Sequence, residues 1–171
     1  MNFAELCRAR YSVRKFDTKE VEQEKLDAVL EAGRSAPTAK NLQPQRFFVL
    51  RGKDALEKAD ACLMSHFAPP VIIMAASDNA SAWVREYDGK NHGEIDTTIA
   101  VTQMMLQAAE LGLGTTYVGM FLEDKLHEAF PEELAGLTVT AMLPLGYPAE
   151  NSHPIRLHNE RKPLDELVKY L

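Results

Sequence analysis

The apolar positions along the chain follow two spacings, helical in some stretches and continuous in others. Helical spacing predicts a short helix over residues 2–9, an amphipathic helix over 21–35 and a third helix over 53–62. Pro37 ends the second of these helices, because the residue before a proline avoids the helical region. The polar stretch 36–46, which contains two prolines, is therefore predicted to be a loop.

Short apolar runs predict the strands of a sheet. The run Val71–Met74 is continuous and rich in β-branched residues, which is typical of a central strand buried on both faces. Further strands are predicted at 47–50, 115–118 and 138–145, and a short helix at 123–130. Helices and strands are mixed without strict βαβ alternation, so the pattern predicts an α+β sandwich of a sheet and helices.

The longest predicted helix, 95–111, carries two apolar stripes. One contains Ile95, Ile99, Thr102, Leu106 and Ala109, and the other contains Val101, Met104, Met105 and Ala108. A helix that is apolar on two faces is expected to be buried on two faces. The second face would pack against a partner subunit or, alternatively, lie inside the core of a monomer, for which 171 residues leave little room.

Composition limits the class of protein. The chain has 171 residues, 46% apolar and 26% charged, so we expect one globular domain over residues 1–171. A formal charge of −6 disfavours general binding to nucleic acid. There is no signal-peptide pattern, and the longest apolar stretch, 69–76, is too short to span a bilayer, so we expect a cytoplasmic protein without a membrane partner. Cys7 and Cys62 are predicted to be free thiols.

Several common catalytic and binding motifs do not occur in the sequence. The chain contains neither G-x-G-x-x-G after a strand nor G-x-x-x-x-G-K-[ST], and it has no G-x-S-x-G nucleophile elbow. None of the five histidines lies three or four residues from another, so no metal site is predicted.

A cluster of cations stands out near the N-terminus. Arg10, Arg14 and Lys15 flank Ser12 within six residues of an otherwise acidic chain. Arginine can direct two N–H donors at one phosphate, and serine adds a hydroxyl donor, so the cluster is a candidate phosphate site. Charge alone favours the alternative, a solvated basic turn.

The loop over 36–44 is the second unusual segment. Asn41 and Gln43 carry both donors and acceptors, as recognition of a planar heterocycle requires. Pro37 and Pro44 would hold such a loop rigid. Taken alone, the segment is more typical of an ordinary polar turn.

Taken in order, these segments resemble the FMN-dependent nitroreductase family. The pattern R-x-S-x-R-x-F at 10–16 precedes a helix, and A-P-T-x-x-N-x-Q-P at 36–44 precedes a strand. Ile95-Asp96 opens the long apolar helix. The remaining matches are ELGLGTTYVG at 110–119, LPLGYP at 143–148 and RKPLDE at 161–166. No single motif is decisive, but the motifs occur in the family's order and span nearly the whole chain. The resemblance therefore implies a compact member of this family.

The resemblance implies an α+β sandwich with a mixed or antiparallel sheet and an intertwined homodimer, with two FMN molecules at the subunit interface, each contacted by both chains. Arg10, Ser12 and Arg14 would hold the phosphate, ribityl chain and ring edge. Arg161 would join them at the phosphate, and the partner subunit would supply the 37–43 loop. The cofactor-binding residues implied in this way are Arg10, Tyr11, Ser12, Arg14, Pro37, Thr38, Ala39, Asn41, Gln43, Val118, Gly119, Met120, Arg161 and, as a weaker candidate, Lys162.

The same resemblance implies how the site would work. FMN would carry the hydride chemistry, so no catalytic side chain is expected. The backbone N–H groups of Gly119 and Met120 would lie near flavin N5. Trp83 or Tyr87, in the brief polar stretch 77–94, would cover the flavin where longer relatives have an insertion, or would simply pack on the surface.

The implied function is transfer of reducing equivalents from NADH or NADPH to a nitroaromatic, quinone or similar conjugated acceptor by a ping-pong scheme. The residues do not specify the donor, with Arg46 and Lys40 as candidates for contacting a 2′-phosphate. One alternative is a flavin-binding protein that senses or supplies FMN without turnover. A further alternative is a small interaction domain without a cofactor, whose basic patch binds an acidic partner.

Overall fold

A computed structural model of the chain describes all 171 residues. The helices are α1 (Phe3–Ala9), α2 (Gln23–Arg34), α3 (Lys53–Asp60), α4 (Gly93–Glu110), α5 (Glu123–Ala129) and α6 (Leu164–Leu167). The strands are β1 (Gln45–Leu50), β2 (Val71–Ser77), β3 (Gly114–Thr115) and β4 (Thr138–Gly146), and two short 3₁₀ helices lie at Ala39–Asn41 and Arg156–Asn159. None of the helices is long and apolar enough to cross a membrane.

The four strands form one antiparallel sheet in the order β1-β2-β4-β3. β2 lies between β1 and β4, and all seven of its residues are buried. The predicted α+β class and the predicted central strand are therefore confirmed. The strand predicted at 115–118 is shorter than expected, because only Gly114–Thr115 pairs as a strand and Val118 makes a separate bridge to Met142.

The alternation of side chains along β2 builds two cores, one on each face of the sheet. Ile72, Met74 and Ala76 belong to the core cluster covered by α3 and α5. Val71, Ile73 and Ala75 belong to the cluster covered by α2 and α4. Because successive side chains of a strand point to opposite faces, a continuous apolar run supplies both cores at once. Burial of each large side chain contributes about 1.5–3 kcal/mol.

α4 packs against α2 and the sheet through one of its two apolar stripes. Val101, Met104 and Ala108 are fully buried. Gly33 of α2 allows this close approach, since a Cβ at that position would lie 2.7 Å from the Met104 sulfur. The other stripe is not covered within one chain, because Ile95 and Ile99 are 37% and 38% exposed. Burial on both faces, expected from the sequence, is therefore not found in the single chain.

The two ends of the chain differ in how they are held. α1 begins with a capping box, in which Asn2 accepts from the Glu5 N–H and Glu5 accepts from the Asn2 N–H. Beyond β4 the chain is largely exposed. Its exposed apolar side chains are Ile155, Leu157, Leu164, Leu167, Val168, Tyr170 and Leu171.

Candidate functional site

The structure brings the basic segment at 10–16 and the C-terminal segment at 155–161 together around one cavity. This arginine cavity has a volume of about 300 Å³. Its lining residues are Arg10, Tyr11, Ser12, Arg14, Ile155, Leu157, His158 and Arg161. Three guanidinium groups and no carboxylate line it, so it is suited to an anion with more than one negative charge.

The first wall of the arginine cavity is fixed by the sheet. Ser12 forms a parallel bridge with Thr115, and the Val13 N–H donates to the Thr115 carbonyl at 2.9 Å. Val13 is buried and packs against Gly114, where a Cβ would lie 2.4 Å from a Val13 methyl carbon. Gly114 is therefore required for the basic segment to lie this close to β3.

The second wall comes from the 3₁₀ helix near the C-terminus. The Tyr11 hydroxyl donates to the Ser152 Oγ at 3.2 Å, and the Tyr11 ring meets the His158 ring edge-on at a centroid distance of 6.3 Å. One nitrogen of Arg161, Nη1, donates to the carbonyls of His158 and Glu160 at 2.5 and 2.8 Å. Its other nitrogens keep their donors for a ligand, since a guanidinium has five N–H groups.

Lys162, the weaker candidate, is not among the residues that line the arginine cavity. Its ammonium group lies 3.7 Å from the Glu166 carboxylate, one helical turn further on. The structure therefore separates Arg161 from its neighbour in the sequence, and only Arg161 joins Arg10 and Arg14.

The 37–43 loop has an unusual backbone. Lys40, Asn41 and Gln43 have φ values of 50°, 56° and 52°, in the left-handed region that residues with a side chain seldom adopt. Such conformations persist only where the surrounding structure fixes them, and they cluster at functional sites. Within the loop, the Gln43 N–H donates to the Thr38 hydroxyl at 3.1 Å. Asn41 and Gln43 are exposed, so their amide groups can reach a ligand.

Side chains outside the loop hold it at both ends. The Ala39 N–H donates to both carboxylate oxygens of Asp96 at 3.2 Å. Arg46 donates to the carbonyl of Gln43 at 3.0 Å and pairs with Asp78 at 3.1 Å. Arg46, one of the two candidates for contacting a 2′-phosphate, is therefore engaged in holding the loop.

The segment 118–120 presents backbone donors. Val118 pairs with Met142 through two hydrogen bonds of 2.9 and 3.0 Å, which fixes the start of the segment against β4. Gly119 and Met120 follow on the surface, and the Met120 side chain is 68% exposed. Their N–H groups donate to no other group of the chain. Two consecutive free donors at a fixed strand edge can hydrogen-bond a ring nitrogen.

One chain does not bring all the predicted site residues together. No residue of the 37–43 loop and none of Val118, Gly119 and Met120 lines the arginine cavity. Sequence reasoning missed His158, which lines the cavity, because a lone histidine in a polar tail carries no pattern. It also gave no individual role to Asp96, which was noted only as part of the Ile95-Asp96 motif at the start of a long helix.

The two aromatic residues of the 77–94 stretch lie in different surroundings. The Trp83 ring meets the His92 ring edge-on at 4.6 Å, and the Lys40 ammonium lies 5.9 Å from the Trp83 centroid. Trp83 is thus next to the 37–43 loop. Tyr87 is 81% exposed and stacks only with the guanidinium of Arg85. Of the two residues predicted to cover the flavin, Trp83 is the one that contacts the 37–43 loop.

Comparisons with known proteins agree on one family. A family model described as Nitroreductase family matches residues 7–68 and 63–147. A protein of Methanothermobacter thermautotrophicus, named "Putative NADH dehydrogenase/NAD(P)H nitroreductase", is 31% identical and the match covers 94% of this chain and 88% of the relative.

Solved structures give the same result. A nitroreductase family protein from Clostridium difficile 630 is 38% identical with a TM-score of 0.91, and the match covers 99% of this chain and 98% of that chain. A protein from Desulfovibrio desulfuricans, described as a "putative nitroreductase in complex with FMN", is 27% identical with a TM-score of 0.82, covering 100% of this chain and 98% of that chain.

Proposed function

The chain belongs to the nitroreductase family, and from this premise we propose that it is an FMN-dependent oxidoreductase. It would pass reducing equivalents from NADH or NADPH to a nitroaromatic, quinone or similar conjugated acceptor in a ping-pong scheme. The archaeal relative is named for NAD(P)H, and the Desulfovibrio structure contains FMN, which supports both parts of the proposal.

The arginine cavity is the observation that carries the proposal. A phosphate monoester such as that of FMN carries up to two negative charges, and guanidinium groups bind it through short charge-assisted hydrogen bonds. Arg10, Arg14 and Arg161 supply these groups from two distant segments, Ser12 adds a hydroxyl and Tyr11 forms the wall between them. The residues present therefore fit the phosphate end of FMN.

Two further segments fit the ring end. FMN supplies the hydride chemistry when bound, and the protein has to bind and orient it. The free N–H groups of Gly119 and Met120 are proposed to hydrogen-bond the ring near N5, with Val118 packed beside them. Arg14 is proposed as the cation at the ring edge, where positive charge favours negative charge on the ring.

The 37–43 loop is proposed to complete the site from a second copy of the chain. Within one chain the loop does not line the arginine cavity, although its exposed amides suit a planar ring. The uncovered stripe of α4, with Ile95 and Ile99, and the apolar side chains of the C-terminal segment offer the surface that such a homodimer would bury. Pro37, Thr38, Ala39, Asn41 and Gln43 would then contact the flavin of the partner subunit.

A titration with FMN tests the cofactor. Purified protein incubated with FMN should retain it through gel filtration and absorb at about 450 nm, as oxidised flavin does. Riboflavin, which lacks the phosphate, is the matched control and should bind at least tenfold more weakly, because it makes no charge-assisted contact with the arginines. Protein that stays colourless after incubation with FMN would rule out both the oxidoreductase and the flavin-binding alternative.

Reduction by a nicotinamide donor separates an enzyme from a flavin-binding protein. Mixing the yellow protein with NADH or NADPH in the absence of oxygen should bleach the flavin absorbance, and a quinone or nitroaromatic should restore it. The faster donor identifies the specificity. If neither donor bleaches the bound flavin, the role in sensing or supplying FMN becomes the better explanation.

A further inference from the structure

We propose that Asp96 is a positioning residue, which holds the 37–43 loop in the backbone conformation that contacts the flavin. The flavin contact rests on the function proposed above, whereas the contact between Asp96 and the loop is observed in the structure. The carboxylate has no role in the chemistry. It would act on the cofactor only through the loop.

The contact links two parts of the chain that are far apart in sequence. Asp96 lies in the first turn of α4 and Ala39 lies 57 residues earlier, yet both carboxylate oxygens are 3.2 Å from the Ala39 nitrogen. Asp96 is 3% exposed and takes part in no ion pair. Burial of an unpaired charge is unfavourable, so a buried carboxylate whose hydrogen-bond partner is a loop N–H indicates a specific task.

The location of Asp96 lowers the cost of burying it. The first turn of a helix carries a partial positive charge, which stabilises a carboxylate there. The same turn contains a second acidic residue, Glu94, which is exposed. Only Asp96 is turned toward the loop, so the two acids share the effect of the helix and differ in the contact with Ala39.

The loop needs an anchor at this point. Ala39 directly precedes Lys40 and Asn41, the first two residues with positive φ. Arg46 holds the other end of the loop through the Gln43 carbonyl. With Asp96 at one end and Arg46 at the other, the strained residues between them are confined to one conformation. Without Asp96, the first half of the loop is expected to relax toward ordinary φ values.

The test compares Asp96→Ala and Asp96→Asn with the matched control Glu94→Ala. Hydrogen exchange of the Ala39 amide in FMN-free protein reports on the loop, and exchange within β2 reports on the fold. FMN affinity and the visible circular dichroism of the bound flavin report on the cofactor. Loss of overall stability alone does not change the dichroism of a saturated site.

We expect Asp96→Ala to speed exchange at Ala39 by roughly tenfold to a hundredfold, as loss of a hydrogen bond to a charged group does. FMN affinity should fall by about tenfold and the flavin dichroism should change. The Ala39 exchange rate and the FMN affinity of Asp96→Asn should lie between those of the wild type and Asp96→Ala, because the amide oxygen still accepts from the Ala39 N–H but without the charge. Glu94→Ala should leave Ala39 exchange and FMN affinity within about twofold of the wild type, because an exposed first-turn acid interacts only weakly with the helix and does not contact the loop.

Three results would overturn the proposal. They are unchanged exchange at Ala39 in Asp96→Ala, an equal effect of Glu94→Ala, and faster exchange with unchanged FMN affinity and dichroism. If Asp96→Ala does not fold, Ala39 exchange, FMN affinity and flavin dichroism are measured in Asp96→Asn instead, and the same results overturn the proposal. If the wild-type protein binds no FMN, the proposed function fails, whereas the exchange at Ala39 still decides whether Asp96 holds the loop.

Discussion

The arginine cavity and the 37–43 loop are built on different principles. The cavity gathers long charged side chains from two segments about 150 positions apart, and their own backbone is ordinary. The loop is a short contiguous segment whose value lies in its backbone, with three residues at positive φ and anchors at both ends. Charge density defines the first region and conformation defines the second.

This difference determines how each region can fail. A charged side chain in the cavity can be removed without disturbing its neighbours, so the loss should appear in ligand affinity. A residue whose packing fixes the position of a whole segment affects many contacts at once, so its substitution should lower the free energy of unfolding as well. The following changes separate these two kinds of effect, beginning with the largest.

Gly114→Ala should have the largest effect. The added Cβ would lie 2.4 Å from a methyl carbon of buried Val13, so the 12–14 segment has to move off β3. Overpacking of this kind costs about 1–3 kcal/mol, and FMN affinity should fall with stability because Ser12 and Arg14 move too. Urea unfolding and FMN titration measure both effects.

Gly119→Ala is the control for this substitution, because its added Cβ would meet only a Tyr117 ring carbon at 3.8 Å. Its free energy of unfolding should lie within about 0.5 kcal/mol of the wild-type value, as is usual for surface substitutions. A double variant, Gly114→Ala with Val13→Ala, should lose less free energy of unfolding than the sum of the two single variants, since the nearest methyl carbon is gone and only the Val13 Cβ, at 2.8 Å, still crowds the added group. Additive losses in the double variant would contradict the steric explanation.

Arg161→Ala should act on affinity and not on stability. Removal of one charge-assisted contact to the FMN phosphate should weaken binding by roughly tenfold to a hundredfold. Arg156→Ala is the matched control, because Arg156 lies in the 3₁₀ helix just before Arg161, pairs with Glu160 at 2.6 Å and does not line the cavity. Equal FMN dissociation constants for the two variants would show that the cavity is not the phosphate site.

His158→Ala should have a smaller effect on affinity. The ring lines the cavity, where an N–H group can donate to a ligand, and makes an edge contact to Tyr11. Loss of one such hydrogen bond should weaken FMN binding by about threefold to tenfold at neutral pH. His153→Ala, an exposed histidine of the same segment, should leave the titration unchanged. A weaker FMN complex in both variants would point to a general charge effect of the tail.

Tyr147→Phe should change neither region and serves to test acid stability alone. The Tyr147 hydroxyl donates to Glu22 and, with the nearby Lys19, lowers the pKa of this carboxyl to about 2. A carboxyl whose pKa is lower in the folded than in the unfolded state stabilises the fold above the unfolded pKa, near 4.5, and this contribution is lost as the pH falls through about 2.

Without the hydroxyl donor, the pKa of Glu22 should rise toward its usual value and less of this stabilisation should remain to be lost in acid. NMR titration of the Glu22 carboxyl in both proteins checks the shift directly. FMN affinity at pH 7 should be unchanged. A Glu22 pKa that stays near 2 in Tyr147→Phe would assign the shift to the backbone N–H of Glu22 and to Lys19 instead.

Prediction from the sequence was most successful where the physical signal is local. The run Val71–Met74 predicted a strand buried on both faces, because apolar β-branched residues without alternation suit no other place in a sheet. The boundaries of α2 and α4 followed from apolar spacing to within two residues. The strand predicted at 115–118 was too long, because the pairing of Val118 depends on where β4 lies and not on its own segment.

The candidate site was predictable in part for the same reason. Arg10, Ser12, Arg14 and Arg161 were found through charge and motif, and the structure brings these four residues together. His158 and Asp96 were not, since their roles come from neighbours 147 and 57 positions away in the chain, Tyr11 and Ala39. The positive φ values of Lys40, Asn41 and Gln43 were equally hidden, because none of these residues is glycine.

The order of helices and strands, the α+β class and the family can be inferred from the residues alone, because apolar spacing and local motifs are properties of contiguous residues. Which cations share a cavity, which carboxylate holds the loop and which stripe of α4 remains exposed depend on how the folded segments pack. These are properties of distance between segments, and distance is set only when the two cores on either face of β2 have formed.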